Sequence, residues 1–582
     1  MLNVGIDFGS TYTMVSVYRQ HLGQPEVVGL TEGGNKNIPT VLSCRPDGSR
    51  VRIGESAKAG MAGNNRKFRA FKMMLPEDDP ERLAARGYDS TFTPEEITRK
   101  FLNEVMDKVL DREDDKEIGS LVIGAPEVWY DAFATMDGRT KLRDICRELP
   151  YFGTTAPKDA VQVVSEPTAA SAYFAYKYLQ LKNQPFSGHF LLIDYGGGTL
   201  DISLTEVSQG KKREDGNTLE IRVLDHFGVG ENEQRGEVGN AGIIYMESLT
   251  KEVIKSAYPE MENIPLDNDF FESVDAVEKG LMNNVDEIEE ILDEFGTDPE
   301  GLTEDRMDGE DVFMKIPYGD GKKIDLTYRM MVDVYNRVIR PVFQAKMEEA
   351  QQTMDRLGID WRNKTSDRFK LVLVGGFGNF YLVKAHMKEA FDIRHNDKRD
   401  QDIGLNENTR ELAVSLGCSI LSAGVIRIRN TAPIGIGVMT LMTKNGKQQC
   451  TLSYGLRYHN DIEYDKEYLQ TKGKGNALDY VLISSLEYFL VDMGKGPMPL
   501  VPKQKFLDIL RDAAENRALV YFGFSMDASG VITLYIHDYD HVEEREVSCT
   551  SYELTSYKSL FDTQSVDPRV LKLIKESVNA KR

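Results

Sequence analysis

Two short segments of the sequence combine an aspartate with a turn of small residues, a combination that can bind a phosphate and its metal ion. Ile6–Val17 and Ile193–Leu204 align without gaps, and each has an apolar run, an Asp, an aromatic residue, a small-residue turn and a second, partly alternating run. This order predicts two β-hairpins. Backbone amides of such a turn can point at a phosphate, and Asp7 or Asp194 at the strand end can hold water on Mg²⁺.

The turn of the second segment strengthens this interpretation. Gly196, Gly197 and Gly198 are consecutive, so the backbone can approach a polyphosphate with no Cβ in the way. One such turn alone is most often a plain hairpin. Two facing copies would grip a triphosphate and its metal from both sides, as phosphoryl transfer requires. The repeat also implies two similar lobes.

The elements between the two segments indicate an α/β sheet. The patterns predict a buried strand over Ser120–Pro126, a short helix over Thr140–Glu148, a strand over Val161–Glu166 and an Ala-rich helix over Thr168–Tyr178. Strands that alternate with helices are typical of a sheet with helices on its faces.

The second half of the chain changes character twice. The patterns predict, in order, a helical and acidic region over Leu249–Glu294, an amphipathic helix over Tyr328–Leu357, a buried strand over Phe369–Val374 and a small-residue helix over Thr409–Ile426. The acidic run Asp286–Asp311 is interpreted as a solvated loop of an inserted subdomain. After Arg429 short β-type runs appear, and we place a domain boundary at residues 427–433.

Composition excludes several classes of partner. The 582 residues exceed what one hydrophobic core usually supports, and a net charge of −22 repels phosphate backbones and anionic lipid. Five dispersed cysteines without a CxxC pair suggest neither a disulfide framework nor a zinc site. No apolar run has membrane-spanning length, and no secretory signal is evident. We therefore expect a cytoplasmic protein that binds neither nucleic acid nor membrane.

Several motifs, in a consistent order, resemble those of the heat shock protein 70 family, a chaperone branch of the actin-like ATPase superfamily. The hairpins resemble its two phosphate motifs. The other motifs are the strand and turn Val122–Asp131, the Glu-Pro-Thr-Ala-Ala signature in Ser165–Ser171, the adenosine motif Leu371–Gly376 and the second connecting helix Ala413–Ala423. The chain is identified as a divergent, DnaK-like member of that family.

The resemblance implies a fold and a domain layout. The fold class is α/β: a two-lobed actin-like ATPase fold with duplicated ribonuclease-H-like domains, followed by a mainly β C-terminal domain. The expected divisions are ATPase lobe I over 1–187, lobe II over 188–408 with an inserted helical subdomain around 249–325, a connecting helix over 409–427, and a β-rich domain over 428–582, for which a reduced substrate-binding domain is one interpretation.

The resemblance also implies roles for individual residues. Asp7, Glu166 and Asp194 would hold Mg²⁺, through water. Lys72, in a segment similar to one of the family, would neutralise charge on the γ-phosphate, and Asp194 and Thr199 would orient the attacking water, with Glu166 also catalytic. The residues expected to contact ATP or ADP are Gly9, Ser10, Thr11, Tyr12, Gly196, Gly197, Gly198, Thr199, Gly375 and Gly376. By itself, Lys72 would be interpreted as a surface lysine.

The predicted function is a slow, regulated, chaperone-like ATPase. Nucleotide would close the two lobes and control a C-terminal domain that binds unfolded peptide or a dedicated protein partner. Co-chaperones are expected as further partners. Tyr521–Tyr535 resembles part of the family's peptide-binding β-domain, and the predicted helix Pro568–Ala580 is too short for its helical lid. Phe377–Phe380 departs from the family's adenosine loop, which carries an arginine there.

Two alternatives stay open. A small-molecule kinase of the same superfamily would fill the cleft with a phosphate acceptor, but kinases of the superfamily generally lack the Glu-Pro-Thr-Ala-Ala helix. An actin-like filament protein would need self-complementary surfaces, which a sequence does not reveal. Stimulation of phosphate release by unfolded peptide would favour the chaperone, and stimulation by a sugar would favour the kinase.

Overall fold

The computed structural model describes most of the N-terminal three quarters of the chain and separate strands of the remainder. The described residues are 1–31, 33–58, 65–127, 129, 136–156, 160–182, 185–209, 219–229, 241–261, 263–266, 268–303, 305–307, 311–319, 322–394, 397, 410–429, 431–432, 435–444, 447–457, 460–462, 466–469, 481–482, 486–492, 496–502, 504, 508, 519–527, 529–540, 545–553, 561–562 and 572.

The strands are short to medium in length and are numbered in chain order. They are β1 Leu2–Phe8, β2 Tyr12–Arg19, β3 Gln24–Val27, β4 Asn37–Pro39, β5 Val41–Cys44, β6 Arg52–Ile53, β7 Arg66–Arg69, β8 Ile118–Ala125, β9 Val161–Ser165, β10 Gly188–Tyr195, β11 Leu200–Gln209, β12 Leu219–Val229, β13 Val312–Tyr318, β14 Lys322–Thr327, β15 Phe369–Val374, β16 Ile426–Ile428, β17 Gly435–Lys444, β18 Lys447–Leu456, β19 Tyr468–Leu469, β20 Val481–Leu482, β21 Leu486–Asp492, β22 Pro497–Pro502, β23 Leu519–Met526, β24 Ile532–Asp540, β25 Arg545–Glu553 and β26 Phe561–Asp562.

The helices are concentrated before residue 423. They are α1 Glu55–Lys58, α2 Pro80–Ala85, α3 Pro94–Arg112, α4 Met136–Arg147, α5 Glu166–Lys182, α6 Gly242–Ala257, α7 Asn268–Asn283, α8 Val285–Phe295, α9 Tyr328–Val334, α10 Arg340–Arg356, α11 Tyr381–Ala390 and α12 Ala413–Ser422. Short 3₁₀ turns cover Phe71–Met74, Pro299–Gly301, Phe377–Asn379 and Arg410–Leu412, and a π-helical turn covers Tyr335–Ile339.

The chain divides into two compact units. The first consists of residues 1–73, 100–128 and 165–427, and the second of residues 74–99, 129–164 and 428–582. The protein is a mixed α/β chain with several separate sheets. The finer prediction of duplicated ribonuclease-H-like lobes, and the domain boundaries given above, stay predictions.

The first unit contains both copies of the sequence repeat as β-hairpins, as predicted. In the first sheet, β1 is antiparallel to β2 and parallel to β8, and Asp7 lies opposite Met14. In the second sheet, β10 is antiparallel to β11 and parallel to β15, and Asp194 lies opposite Asp201. The second sheet has the order β15-β10-β11-β12-β16. Each hairpin therefore has a parallel strand on its other side.

The small-residue helix α12 packs closely on its neighbours, as the sequence predicts. A Cβ on Gly417 would lie 1.8 Å from the Ala169 carbonyl oxygen of α5, and a Cβ on Gly5 would lie 2.2 Å from the Ser419 amide nitrogen. The helix ends earlier than predicted, because Gly424 takes a left-handed φ of 67° and its N–H and that of Val425 bond back to the last turn.

The inserted region is not wholly helical. The first part of the acidic run predicted as a loop forms α8, because Ile288 and Leu292 are spaced for one buried face. Gly296, at φ 87°, ends that helix. Strands β13 and β14 then form an antiparallel hairpin that the sequence reading missed. The helical character predicted over Leu249–Glu294 is confirmed, whereas the loop predicted from Asp286 was wrong over residues 286–295.

The single helix predicted over Tyr328–Leu357 is divided in the structure. Helices α9 and α10 flank the π-helical turn Tyr335–Ile339. Pro341 stands at the start of α10 and has no N–H to donate, so a regular α-helical ladder cannot run through this point.

The second unit contains two C-terminal sheets, with orders β18-β17-β21-β22-β26 and β19-β23-β24-β25. The predicted β-type runs are confirmed as β17, β21, β23 and β24. Within this unit, the side chain of Arg143 on α4 is buried and contacts Asp527 at 2.7 Å and Glu553 at 2.9 Å. The predicted helix Pro568–Ala580 lies, except for residue 572, outside the described residues.

Candidate functional site

The turns of the two hairpins are closed in the same way. The Gly9 N–H donates to the Tyr12 carbonyl at 3.0 Å, and the Gly196 N–H donates to the Thr199 carbonyl at 3.0 Å. These are equivalent positions of the repeat. The sequence similarity therefore reflects the same local backbone hydrogen bond in both turns.

The two turns also contact each other. A Cβ on Gly197 would lie 2.1 Å from Thr11 Oγ1, and a Cβ on Gly198 would lie 2.3 Å from Ser10 Oγ. The second turn is held from behind by α6, whose Gly242 and Ile243 amides donate to the Gly196 and Gly197 carbonyls at 3.1 and 2.8 Å. The structure thus brings together the two turns that the sequence predicts to face each other.

Glu166 is placed beside the turns by the start of α5. The Ser165 hydroxyl accepts a hydrogen bond from the Thr168 N–H at 3.3 Å, which caps the helix, and Pro167 fits the first turn. Glu166 therefore lies in that first turn and is buried, with 8% of its surface exposed. The Ser-Glu-Pro-Thr sequence has a local structural cause, because each of these residues suits a helix start.

Lys72 is buried and forms an ion pair with Glu166. Its side chain is 2% exposed, and its ammonium lies 5.8 Å from the centre of the Phe8 ring. The 3₁₀ turn Phe71–Met74 that carries it follows Ala70, which takes a left-handed φ of 49°. The alternative interpretation of Lys72 as a surface lysine is therefore wrong. A buried lysine facing a carboxylate requires that partner, since an uncompensated charge here would be costly.

A cluster of carboxylates surrounds this ion pair. Burial, and then repulsion by Glu166, raises the pKa of Asp7 to about 7, although Lys72 opposes the rise. Burial and the neighbouring carboxylates also raise the pKa of Asp194. The same causes raise the pKa of Asp201 to about 8, although the hydrogen bond from Thr199 Oγ1 lowers it. The site holds more negative charge than one lysine balances.

This donor set fits a hard divalent cation such as Mg²⁺, because oxygen ligands and an excess of buried negative charge favour it. Among the described residues, no three acidic, His or Cys side chains converge as direct ligands. The fit is therefore to an ion that keeps its water, with Asp7, Glu166 and Asp194 as the candidate partners of that water.

The loop after β15 touches the second hairpin. Gly375 takes φ 83°, and a Cβ there would lie 2.5 Å from Asp194 Oδ1. A Cβ on Gly376 would meet no described atom within 4 Å. The Phe377 ring is buried and packs edge-on against Tyr195 with 4.9 Å between centroids. The residue that departs from the family loop is therefore a core residue.

Sequence reasoning missed two parts of this region. Asp201 has Met14 at the equivalent position of the repeat, so the repeat gave no reason to select it. Arg69 on β7 forms a bidentate ion pair with Asp275 on α7, with N···O distances of 2.7 and 2.8 Å. Tyr12, predicted to contact phosphate through the turn, directs its hydroxyl at Met282 Sδ at 4.0 Å. Long-range pairs of this kind have no signal in one sequence.

Comparison with known proteins finds a family match for the N-terminal part of the chain. The profile described as Hsp70 protein matches residues 3–215. Over these residues the chain is similar to the Hsp70 family. The matched stretch includes both hairpins, Lys72 and Glu166, whereas Gly375 and Gly376 lie beyond it. The predicted resemblance to the Hsp70 family is thereby confirmed.

Individual Hsp70 relatives are similar over part of their length. A ribosome-associated molecular chaperone of Zygosaccharomyces rouxii is 27% identical over 270 residues, which is 41% of this chain and 40% of the relative. The chaperone protein DnaK of Metamycoplasma hominis is 28% identical over 207 residues, which is 36% of this chain and 30% of the relative. The chain thus spans less than half the length of these curated relatives.

None of the helices in the described part of the chain has the length and apolar character needed to cross a membrane.

Proposed function

We propose that this chain is a cytoplasmic, chaperone-like ATPase that binds ATP or ADP with Mg²⁺ along the edge where its two hairpin turns meet. The observation that carries the proposal is the contact between the turns, where Ser10 and Thr11 face Gly198 and Gly197. Each turn offers backbone amides to a phosphate chain, and the pairing allows both ends of a triphosphate to be held at once. The similarity to the Hsp70 family over residues 3–215 supports it.

Two groups of residues would contact the nucleotide through their backbone, one at the phosphates and one at the nucleoside. For the phosphates these positions are Gly9, Ser10, Thr11, Tyr12, Gly196, Gly197, Gly198 and Thr199. Gly375 and Gly376 would lie against the nucleoside, since no atom of the described residues lies within 4 Å of a Cβ on Gly376. Mg²⁺, when bound, would neutralise phosphate charge. Asp7, Glu166 and Asp194 would hold its water shell.

Hydrolysis in this proposal depends on Lys72, Asp194 and Thr199, with Glu166 as the partner of the lysine. Lys72 would turn its ammonium from Glu166 towards the γ-phosphate, where it stabilises developing charge. The Thr199 hydroxyl donates to Asp201, so its oxygen is left to accept a hydrogen bond from the attacking water. Asp194, with its raised pKa, would accept the water's proton. Lys72 must exchange partners, which is consistent with slow turnover.

The further part of the proposal concerns control. Nucleotide would close the two lobes, and the closed state would change the affinity of the C-terminal β-rich domain for an unfolded peptide or a dedicated protein partner, with co-chaperones adjusting the cycle. Support comes from the relatives, both of which are named chaperones.

Calorimetry with MgATP tests the site. Gly197→Val adds a branched side chain where a Cβ already lies 2.1 Å from Thr11 Oγ1, so it should push the turns apart and abolish binding. Gly33→Val is the matched control, since a Cβ there has only Thr31 Oγ1 near it, at 3.9 Å. Unchanged affinity in the folded Gly197→Val protein would refute the proposed site.

A further inference from the structure

A thiol, an imidazole and a carboxylate lie together on the sheet β19-β23-β24-β25. His537 on β24 and Cys549 on β25 are directly opposite in the antiparallel register, so their side chains leave the same face of the sheet. Cys549 Sγ lies 3.9 Å from His537 Nε2. The imidazole is buried, whereas Cys549 is exposed. The sulfur can therefore meet a reagent from solvent while its partner stays shielded.

Glu467 reaches the same nitrogen of the imidazole. Its Oε1 contacts His537 Nε2, the nitrogen that also faces Cys549. A glycine makes this approach possible, because a Cβ on Gly523 of β23 would lie 2.0 Å from Glu467 Oε1. The ring of Tyr535, two residues before His537 on the same strand, stacks on the imidazole with 6.4 Å between centroids. The imidazole is thus fixed in position by three neighbouring groups.

We propose that Cys549 is a nucleophilic thiol that reacts with small disulfides and soft electrophiles at neutral pH. His537 Nε2 is the atom that takes up the thiol proton, and Glu467 is a positioning residue that orients the imidazole and accepts a hydrogen bond from the resulting Nε2–H. The resulting imidazolium directs its Nε2–H towards both the carboxylate and the thiolate. Thiolate beside a protonated histidine is the arrangement that activates cysteines elsewhere.

The reaction with a disulfide balances without a further reagent. The Cys549 thiolate attacks one sulfur of the disulfide, a new S–S bond forms to Cys549, and the original S–S bond breaks. The other half leaves as a thiolate and takes the proton from the His537 imidazolium. Cys549 is oxidised and the small disulfide is reduced by the same electron pair. The product is a mixed disulfide on the face of this sheet.

Other cysteines provide an internal contrast. Cys44, Cys146 and Cys418 are buried, and burial raises the pKa of each thiol, to about 12 for Cys146. Their thiolate forms are therefore scarce at neutral pH. Cys450 lies on β18, and the modification of Cys450 and of Cys549 can be measured separately by peptide mapping.

The test is alkylation of the whole protein by iodoacetamide from pH 5.5 to 9.5, with the rate at each cysteine read by mass spectrometry. In the native protein, Cys549 should reach half of its maximal rate well below the pH of about 8.5 that is typical of a free cysteine. In His537→Gln that midpoint should move up by about one pH unit or more, a roughly ten-fold loss of rate at pH 6.5. His21→Gln is the control and should leave the profile unchanged.

A second pair of variants separates the positioning role from general loss of structure. Glu467→Gln removes the charge, and Gly523→Ala displaces the carboxylate without changing any titrating group. Both should raise the midpoint by less than His537→Gln does, with unchanged thermal melting. Release of coloured thiolate from the aromatic disulfide DTNB should follow the same order, and it should lose its fast phase in Cys549→Ser. An identical pH profile for Cys549 in the native, Glu467→Gln and Gly523→Ala proteins, or a midpoint at or above 8.5 in the native protein, overturns the proposal.

Discussion

Lys72 and Glu166 are 94 residues apart in the sequence and form a buried ion pair beside the two hairpin turns. Lys72 comes from a 3₁₀ turn and Glu166 from the first turn of α5, so two separate elements must be in place for the pair to form. Each charge is satisfied by the other in the absence of ligand. A nucleotide phosphate would compete with Glu166 for the ammonium.

Lys72→Ala should therefore separate hydrolysis from binding. Turnover should fall about 10²-fold or more, the scale of removing one electrostatic stabiliser, while ATP affinity stays within several-fold. Single-turnover phosphate release and calorimetry measure the two quantities. The exposed Lys36→Ala is the control. Intact turnover in Lys72→Ala would show that this lysine has only a structural role.

The same substitution should lower stability, because it leaves Glu166 buried without its partner. Breaking a buried pair from one side typically costs about 3–5 kcal/mol in the free energy of unfolding. Lys72→Ala combined with Glu166→Gln should recover part of that loss, since no uncompensated charge is left. Urea denaturation of the single and double variants tests this. A double variant no more stable than Lys72→Ala would contradict the pairing.

The stability of the nucleotide-free protein should fall as pH rises from about 4 to about 8. The folded-state pKa values of Asp7 and Asp201, about 7 and about 8, lie above the ordinary value of 3.8. At pH values between 3.8 and these folded-state values, the folded protein therefore binds more protons than the unfolded chain. The stabilisation is complete below about pH 4 and is lost above these values. Bound Mg²⁺ would favour the ionised forms and weaken the trend.

Thermal melts between pH 5 and 8.5 measure this dependence by comparison of variants. Asp201→Asn should show a smaller decrease of melting temperature with pH than the native protein, because one titrating group is gone. Asp111→Asn, at an exposed position of α3, should retain the native dependence. The same pH slope in Asp201→Asn and native protein would rule out a contribution from Asp201.

The ion pair between Arg69 and Asp275 should slow the release of nucleotide. It joins β7 to α7 through two hydrogen bonds, and both side chains are about 30% exposed, so its expected strength is of the order of 1 kcal/mol. Asp275→Asn should raise the MgADP dissociation rate by about two- to five-fold in stopped-flow fluorescence. The exchange of charges in Arg69→Asp with Asp275→Arg should restore slow release. Equal rates in all variants would exclude this role.

Close helix packing gives a prediction about folding. Gly417→Val should strongly destabilise the first unit, since its Cβ would lie 1.8 Å from a backbone oxygen of α5, which cannot move away without shifting the helix. We expect a loss of about 3 kcal/mol or more in the free energy of unfolding, measured by urea denaturation. Gly33→Val again serves as the control, and a native-like midpoint for Gly417→Val would contradict the packing.

The hairpins, the signature helix and the β-type runs could be predicted because each has a local cause. Gly196–Gly198 lack Cβ atoms and therefore suit a tight turn, and Ser165 and Pro167 suit a helix start. Lys72 was selected only through the resemblance, since nothing in its own segment indicates burial. Asp201 and the Arg69–Asp275 pair were missed because burial and distant pairing arise only in the folded chain. The division at Pro341 has a local signal in the sequence, a proline within the helical pattern.

The facing turns also constrain how this sequence can change over generations. Ser10 and Thr11 occupy the space that side chains at Gly198 and Gly197 would need, so the glycines are required by the opposite turn as well as by any ligand. A lineage that lost its nucleotide would still be under selection to keep them. The large and small side chains could be exchanged across the contact by Thr11→Gly together with Gly197→Thr. On this evolutionary route each single substitution would pack less well than the two together. The two halves of the repeat are therefore expected to diverge together.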